Sequence, residues 1–251
     1  MKYYFLVSFL PDIQRDDRKI KIHLSDLIEE KHLFTDRDWA EIELILLEGD
    51  ILQIERLWSG KDVELEYSLY GRDFWKEQIR SPRDVPEFLE ETFDIYMTEG
   101  PSPGLVGRMY DSYYNYALKR SASPFLRDYL RFEKDMRNII AALRARRKGV
   151  LPSDHVLGED ELADLLGRSA SEDFGLASEY PWIERLSRAR TPLEIEEAAQ
   201  EILWNTIDGM TGHMDFQFDV VLAYLLKLHI LERNLTLNEE AGMEIVRQLE
   251  E

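Results

Sequence analysis

Apolar side chains recur three and four residues apart along most of the chain, a spacing that predicts amphipathic α-helices. Trp39, Ile42, Ile45 and Leu46 show it clearly, because together they form one apolar stripe. Proline and glycine residues interrupt the pattern at intervals and set the ends of the predicted helices. We therefore predict an all-α (mainly α) multi-helix bundle. In the second half of the chain the predicted helices are 159–167, 180–189, 192–206, 216–235 and 238–250.

Three local patterns refine this prediction. Gly49 lies inside the first long helical pattern and predicts a break or bend there. Residues 63–69 alternate between apolar and polar side chains, so they predict at most a minor β element. The turn 100–104 contains two prolines and two glycines. We expect a single compact helical unit over 1–251, with this turn separating two optional sub-bundles. Those sub-bundles would be 1–99 and 104–251.

Composition excludes several classes of protein. The 251 residues include 31 Lys and Arg against 50 Asp and Glu, a net charge of −19, which disfavours general nucleic-acid binding. The chain has no cysteine, so disulfides, thiolate nucleophiles and cysteine-ligated metals are excluded. The apolar run from Val220 to Leu226 is far short of the roughly 20 residues of a membrane span. Ser8 interrupts a short N-terminal apolar run without a cleavage site, so we expect a cytoplasmic protein and no signal peptide.

Recognisable catalytic motifs are missing from the sequence. It contains no nucleophile-elbow, phosphate-loop or dinucleotide-binding pattern, so we predict no catalytic residue, cofactor or metal. His229 and Glu232 share a helix face and leave one alternative open, a metal-dependent helical-bundle enzyme. An ordinary hydrogen-bonded histidine is the favoured interpretation of this pair. A free-standing acidic helical scaffold is a further alternative.

The predicted helix over 124–148 has an unusual charge. Residues 127–148 contain eight basic and three acidic side chains, a net charge of +5, so the rest of the chain carries −24. One interpretation is a solvated face whose cations favour the helix C-terminus. The other is a docking face for an acidic partner surface, or for another acidic part of the same chain. The candidate partner-binding residues are Arg127, Arg131, Lys134, Arg137, Arg144 and Lys148.

A weak internal repetition links this helix with the apolar helix over 216–235, which we predict to be buried on all sides. A shift of 96 residues aligns Leu130-Arg131-Phe132 with Leu226-Lys227-Leu228, and Arg137-Asn138 with Arg233-Asn234. A buried Arg-Asn pair can satisfy backbone carbonyl groups. The repetition suggests internally repeated helical bundles as one form of the fold.

Several segments resemble a bacterial family whose genes lie among the subunits of V-type (A/V-type) ATP synthases. The resemblance begins at Tyr3-Tyr4-Phe5-Leu6-Val7 and Leu10-Pro11-Asp12, and it continues at 131–146, 173–176 and 221–233. The family is similar to the V-type ATPase component that joins the central stalk to the membrane rotor ring, and to the eukaryotic counterpart of that component. That likeness implies a funnel of three helical bundles, although this chain is shorter than a typical stalk-to-ring component.

The resemblance also implies a function. It points to a non-catalytic central-stalk or coupling subunit that links the soluble head to the membrane rotor ring during proton or other ion transport. The implied partners are other V-type ATPase subunits, with no nucleic acid, no small-molecule substrate and no direct membrane span. The implied location is cytoplasmic and peripheral to the inner membrane through the complex.

Overall fold

The computed structural model describes residues 3–212 and 217–250, and the side chains as far as residue 236. Helices dominate these ranges and no strand occurs in them, which confirms the all-α prediction. The helices are α1 (Tyr4–Phe9), α2 (Leu24–Glu29), α3 (Asp36–Trp58), α4 (Arg72–Arg80), α5 (Glu90–Glu99), α6 (Pro103–Arg120), α7 (Pro124–Lys148), α8 (Glu161–Arg168), α9 (Ile183–Arg188), α10 (Pro192–Thr211) and α11 (Phe218–Glu250).

The chain divides into two compact units. The terminal unit comprises Met1–Ile42 and Trp204–Glu251, and the central unit comprises Glu43–Leu203. The boundaries fall inside α3 and α10. The turn 100–104, which was expected to separate sub-bundles, lies within the central unit.

Helix α3 runs without a break through Gly49, so the predicted interruption is wrong. The glycine serves a different purpose, because a Cβ atom at this position would lie 2.2 Å from the backbone oxygen of Tyr67. The chain that follows α3 can therefore pass directly against the helix. Only a glycine allows an approach this close.

Residues 63–69 form no strand, which agrees with the prediction of at most a minor β element there. Their backbone pairs with side chains of α3 and not with another strand. The Gln53 amide donates to the Val63 oxygen at 2.9 Å and accepts from the Leu65 N–H at 2.8 Å. Leu65 and Tyr67 are buried while Glu64 and Glu66 are exposed, which accounts for the middle of the alternating pattern.

Asp50 fixes the end of the same segment from inside the central unit. Its carboxylate is fully buried and accepts hydrogen bonds from the N–H groups of Leu69 and Tyr70, both at 3.1 Å. The Trp75 indole N–H donates to it at 2.7 Å, and the Ser68 hydroxyl donates as well. Burial raises the pKa of Asp50 to about 6, against the lowering effect of these four donors.

Helix α7 passes through the centre of this unit and packs against α6, α8 and α9. Ser123 caps its first turn by accepting from the Leu126 N–H, and Gly149 ends it with a φ of +70°. Phe132 and Ile140 are only half-buried. The buried positions of α7 are Phe125, Leu126, Tyr129, Leu130, Glu133, Met136, Asn138, Ile139, Ala142, Leu143 and Ala145.

Helix α11 is one continuous helix, so the predicted division between 216–235 and 238–250 is wrong. Position 216 lies outside the described residues. Most of the apolar stretch is buried as predicted, although Val220 and Tyr224 are half-buried. Helices α8, α9 and α10 agree with their predicted ranges to within a few residues. The buried apolar positions of α11 are Val221, Leu222, Ala223, Leu225, Leu226, Leu228, Ile230 and Leu231.

Candidate functional site

The six basic residues predicted to bind a partner do not share one environment. Arg131, Arg144 and Lys148 are exposed. The other three are half-buried and contact groups inside the central unit. These inward residues are Arg127, Lys134 and Arg137.

Arg137 contacts three side chains of the central unit. Its guanidinium donates to the Glu48 carboxylate at 3.0 Å and to the Tyr114 hydroxyl at 3.2 Å. It also lies 3.7 Å from the ring centroid of Tyr110, a cation–π distance. Burial raises the pKa of Tyr114 well above its ordinary value, so this tyrosine stays neutral. Arg137 therefore joins α7 to α3 and α6.

A second carboxylate lies one helical turn before Arg137. Glu133 is buried and accepts a hydrogen bond from the Tyr129 hydroxyl at 3.2 Å. Together with Glu48 and Arg137 it forms what we call the α7 charge cluster. If one partner of this cluster is separated from the others, a buried charge is left without an opposite charge. The cluster therefore favours the arrangement of the surrounding helices that keeps its members together.

Lys134 faces α8. Its ammonium donates to Asp160 at 2.9 Å, and only 11% of its side chain is exposed. Asp160 also caps α8 by accepting from the Ala163 N–H at 3.0 Å. Although burial alone would raise the pKa of Asp160, these two hydrogen bonds lower it below its ordinary value. Gly158 leaves room for the ammonium, since a Cβ there would lie 2.7 Å from the Lys134 nitrogen.

The expectation that the Arg137-Asn138 pair satisfies backbone groups is confirmed for Asn138 only, because Arg137 binds the side chains of Glu48 and Tyr114. The Asn138 amide donates to the Leu157 oxygen at 3.0 Å and accepts from the Leu157 N–H at 2.6 Å. Arg127 acts closer to its own position and donates to the Ser121 oxygen at 2.8 Å. Both contacts fix turns that lead into or follow nearby helices.

Two further basic residues were missed by the sequence analysis. Arg147 donates to the oxygens of Leu186 and Ser187, at 3.1 and 2.9 Å, near the C-terminal end of α9. Arg146 donates to the Ser169 oxygen just after α8, and it lies 3.6 Å from the ring centroid of Phe174. The only sequence feature that points to these two residues is the run of cations in the last turn of α7. Their partners lie too far along the chain for residue spacing to identify them.

The outward residues of α7 are exposed. Arg131 donates to Asp128 at 2.9 Å, but the two side chains are 60% and 63% exposed. An exposed pair of this kind contributes little to stability. Arg144 and Lys148 lie exposed toward the C-terminal end of the helix. A second molecule can reach all three of these cations.

Glu232, one member of the predicted metal pair, has a structural role in the terminal unit. Glu232 is buried, accepts from the Leu24 N–H at 2.9 Å, and lies 3.1 Å from Nδ1 of His23 at the start of α2. Within the described ranges, no three His, Asp or Glu side chains converge to hold a metal ion. The metal-dependent alternative stays a prediction, which elemental analysis of the purified protein would test. None of the described helices is long and apolar enough to cross a membrane.

The fold and site define a class: an all-α protein whose central unit is built around one basic helix. The particular family follows from comparison, since the family described as "Protein of unknown function (DUF2764)" matches residues 1–251 and the chain belongs to it. A similar protein in Chlamydia muridarum (strain MoPn / Nigg) is 23% identical and one in Chlamydia pneumoniae is 24% identical. Each alignment covers 99% of this chain and 97% of the relative. No solved structure matches the chain.

These findings correct the expected family. Both relatives, and a third in Chlamydia trachomatis that is 22% identical over 98% of this chain, are described as uncharacterized proteins. None of these names refers to a V-type ATPase, so the identification with an ATPase-associated family and with its stalk-to-ring component is wrong. The coupling role in that ATPase depended on the resemblance. What does not depend on the resemblance is a more general hypothesis, a non-catalytic helical protein that works within an assembly.

Proposed function

We propose that this protein is a non-catalytic helical connector, which holds its central unit rigid and presents the outward cations of α7 to an acidic surface of another protein. One observation carries the proposal: the basic residues of α7 divide into an inward set that anchors neighbouring elements and an outward set that remains exposed. A connector requires both properties, because it must keep its shape while it contacts a partner.

The inward set supports the rigid part of this role. Arg137 reaches α3 and Lys134 reaches the cap of α8. Arg147, although exposed, adds a contact with the end of α9. Each contact combines a cation with a carboxylate or a backbone oxygen, and such charge-assisted bonds are stronger than neutral ones. A displacement of α7 would therefore have to break several of them together.

The outward set supports the binding part. Arg131, Arg144 and Lys148 stand on a chain whose net charge is −19, so they form a local exception to its acidity. Opposite charge on a partner steers association and fixes its orientation. A cytoplasmic partner at a membrane is consistent with this role and remains part of the proposal.

The test compares two triple variants with the same change of net charge. Arg131→Glu, Arg144→Glu and Lys148→Glu alter the outward set, whereas Arg83→Glu, Lys119→Glu and Arg190→Glu alter exposed cations elsewhere in the central unit. Both should fold normally, since exposed substitutions usually change stability by less than about 0.5 kcal/mol. Each is expressed in the native host in place of the wild type and purified under mild conditions.

The proposal predicts that a partner present in stoichiometric amount with the wild type is lost from the α7 variant and retained by the control. Thermal melting of each purified protein shows whether it is folded. Equal recovery of the partner with both variants would contradict the docking role of α7. Recovery of no stoichiometric partner with the wild type would contradict the connector function itself.

A further inference from the structure

Helix α1 in the terminal unit exposes its aromatic side chains. Phe5 and Phe9 are 84% and 80% exposed, and Tyr4 is 47% exposed. Phe5 and Phe9 are four residues apart and therefore lie on the same face of the helix. None of the residues of α1 is buried. Adjacent exposed aromatic side chains of this kind form an apolar patch, and such patches often bind a partner.

The helix is nevertheless attached to the terminal unit at its start. Tyr3, the residue before α1, is buried, and its hydroxyl donates to Asp38. Its ring centroid lies 5.3 Å from that of Phe218 and 5.9 Å from that of Phe34. Because Tyr3 fixes the beginning of α1 within the unit, the exposed rings of Phe5 and Phe9 belong to an anchored helix.

Cationic residues follow the aromatic patch. Arg18, Lys19 and Lys21 are exposed, and they form no ion pair with another described residue. Segment 12–21 contains four basic and three acidic residues, whereas the whole chain is strongly acidic. Salt confines electrostatic effects to about 10 Å. A surface that approaches segment 12–21, which follows α1 in the sequence, therefore meets the charge of this segment more than that of the whole chain.

The size of the patch indicates what covers it. Three aromatic side chains supply about 500 Å² of contact area. A stable protein interface requires about 800 Å² on each partner, so the patch is too small to form one alone. A short apolar insertion does suffice for reversible binding to a bilayer surface when nearby cations attract anionic headgroups.

We infer that α1 binds the surface of an anionic lipid bilayer. Phe5 and Phe9 enter the boundary between headgroups and acyl chains, while Arg18, Lys19 and Lys21 contact the anionic headgroups. The contact is interfacial and does not span the membrane. It uses the terminal unit alone, so it stands independently of the docking role proposed for α7.

Flotation of the full chain with vesicles tests the inference. The vesicles contain either phosphatidylcholine alone or equimolar phosphatidylcholine and phosphatidylglycerol. We expect binding to the anionic vesicles and little to the neutral ones. Phe5→Ser with Phe9→Ser should weaken binding by about tenfold or more. Replacing Arg18, Lys19 and Lys21 by Glu should weaken it by about fivefold for each residue.

A matched control carries Leu151→Ser and Leu193→Ser, two exposed apolar residues of the central unit, and should bind as the wild type does. Absence of binding to anionic vesicles, or binding that survives Phe5→Ser with Phe9→Ser, would overturn the inference. Sedimentation equilibrium provides a separate check. Concentration-dependent dimers that disappear in the same double variant would overturn it in favour of a contact between two copies of the chain.

Discussion

Helices α7 and α1 use their side chains in opposite ways. In α7 several charged side chains turn inward, where Lys134 and Arg137 anchor neighbouring helices. In α1 the aromatic rings of Phe5 and Phe9 turn outward and are mostly exposed. The comparison teaches that in this protein residue type alone does not locate function. In the central unit, charged side chains of α7 hold neighbouring elements together. In the terminal unit, apolar side chains of α1 are exposed to solvent.

The largest expected effect separates inward from outward cations on the same helix. Arg137→Gln leaves Glu48 buried without its guanidinium partner, so the free energy of unfolding should fall by about 3 kcal/mol. Arg131→Gln removes an exposed pair and should change it by less than about 0.5 kcal/mol. Urea unfolding of the two variants measures the difference. Equal losses would show that α7 does not divide its cations in this way.

Asp50 provides the next largest effect through its pH dependence. Its pKa of about 6 exceeds the value of 3.8 for an unburied aspartate. Between about pH 4 and pH 6 the folded state therefore holds a proton that the unfolded chain has released. This difference favours folding as the pH falls, by about 2–3 kcal/mol in total.

The measurement compares the wild type with Asp50→Asn, which does not titrate. As the pH falls from 7 to 4, the unfolding free energy of the wild type should increase relative to that of the variant. The variant also replaces one carboxylate oxygen by an amide N–H₂, which then faces at least one of these N–H or O–H donors, so it should be less stable at every pH. A difference between the two proteins that stays constant across this range would contradict the raised pKa of Asp50.

Gly49 tests the close approach of chain to helix in the central unit. Gly49→Ala places a Cβ atom 2.2 Å from the Tyr67 oxygen, so we expect a loss of about 2 kcal/mol. Gly107→Ala is the matched control inside α6, where the nearest atom is 3.9 Å away. That substitution should be neutral or stabilise the protein by up to about 1 kcal/mol. Thermal unfolding compares the two, and an equal response would refute the contact.

The smallest expected effect concerns α1. Phe5→Ser with Phe9→Ser removes large apolar side chains, but they are exposed, so the free energy of unfolding should change by less than about 0.5 kcal/mol. Urea unfolding measures it. A substantial loss of stability would show that the aromatic side chains of α1 pack against the protein. Helix α1 would then resemble α7 in its role more than the exposure of its side chains indicates.

Periodicity predicted most of the fold but not the contacts that complete it. The burial of α11 could be read from its continuous apolar stretch, and the capped start of α7 from Ser123-Pro124. Residues 63–69 alternate without forming a strand, because they pack against α3, whose Asp50 and Gln53 supply the hydrogen bonds that a partner strand would provide.

The candidate site could be predicted in outline only. Spacing on a helical wheel placed Arg137 on the polar side of α7, yet its partner Glu48 lies 89 residues away in the sequence. The carbonyl partners of Arg146 and Arg147 lie 23 to 40 residues downstream. Helical spacing relates residues within one helix, so it carries no information on which distant carboxylate or carbonyl a cation will meet.

Native-state hydrogen exchange tests the contrast between the two helices most directly. If inward charges make α7 the rigid centre of its unit, the amides of the helix interior should exchange only through global unfolding, with an opening free energy equal to that from urea unfolding. The amides of α1 should exchange with a much smaller opening free energy. Rapid exchange throughout α7, or protection of α1 as strong as that of α7, would contradict the account.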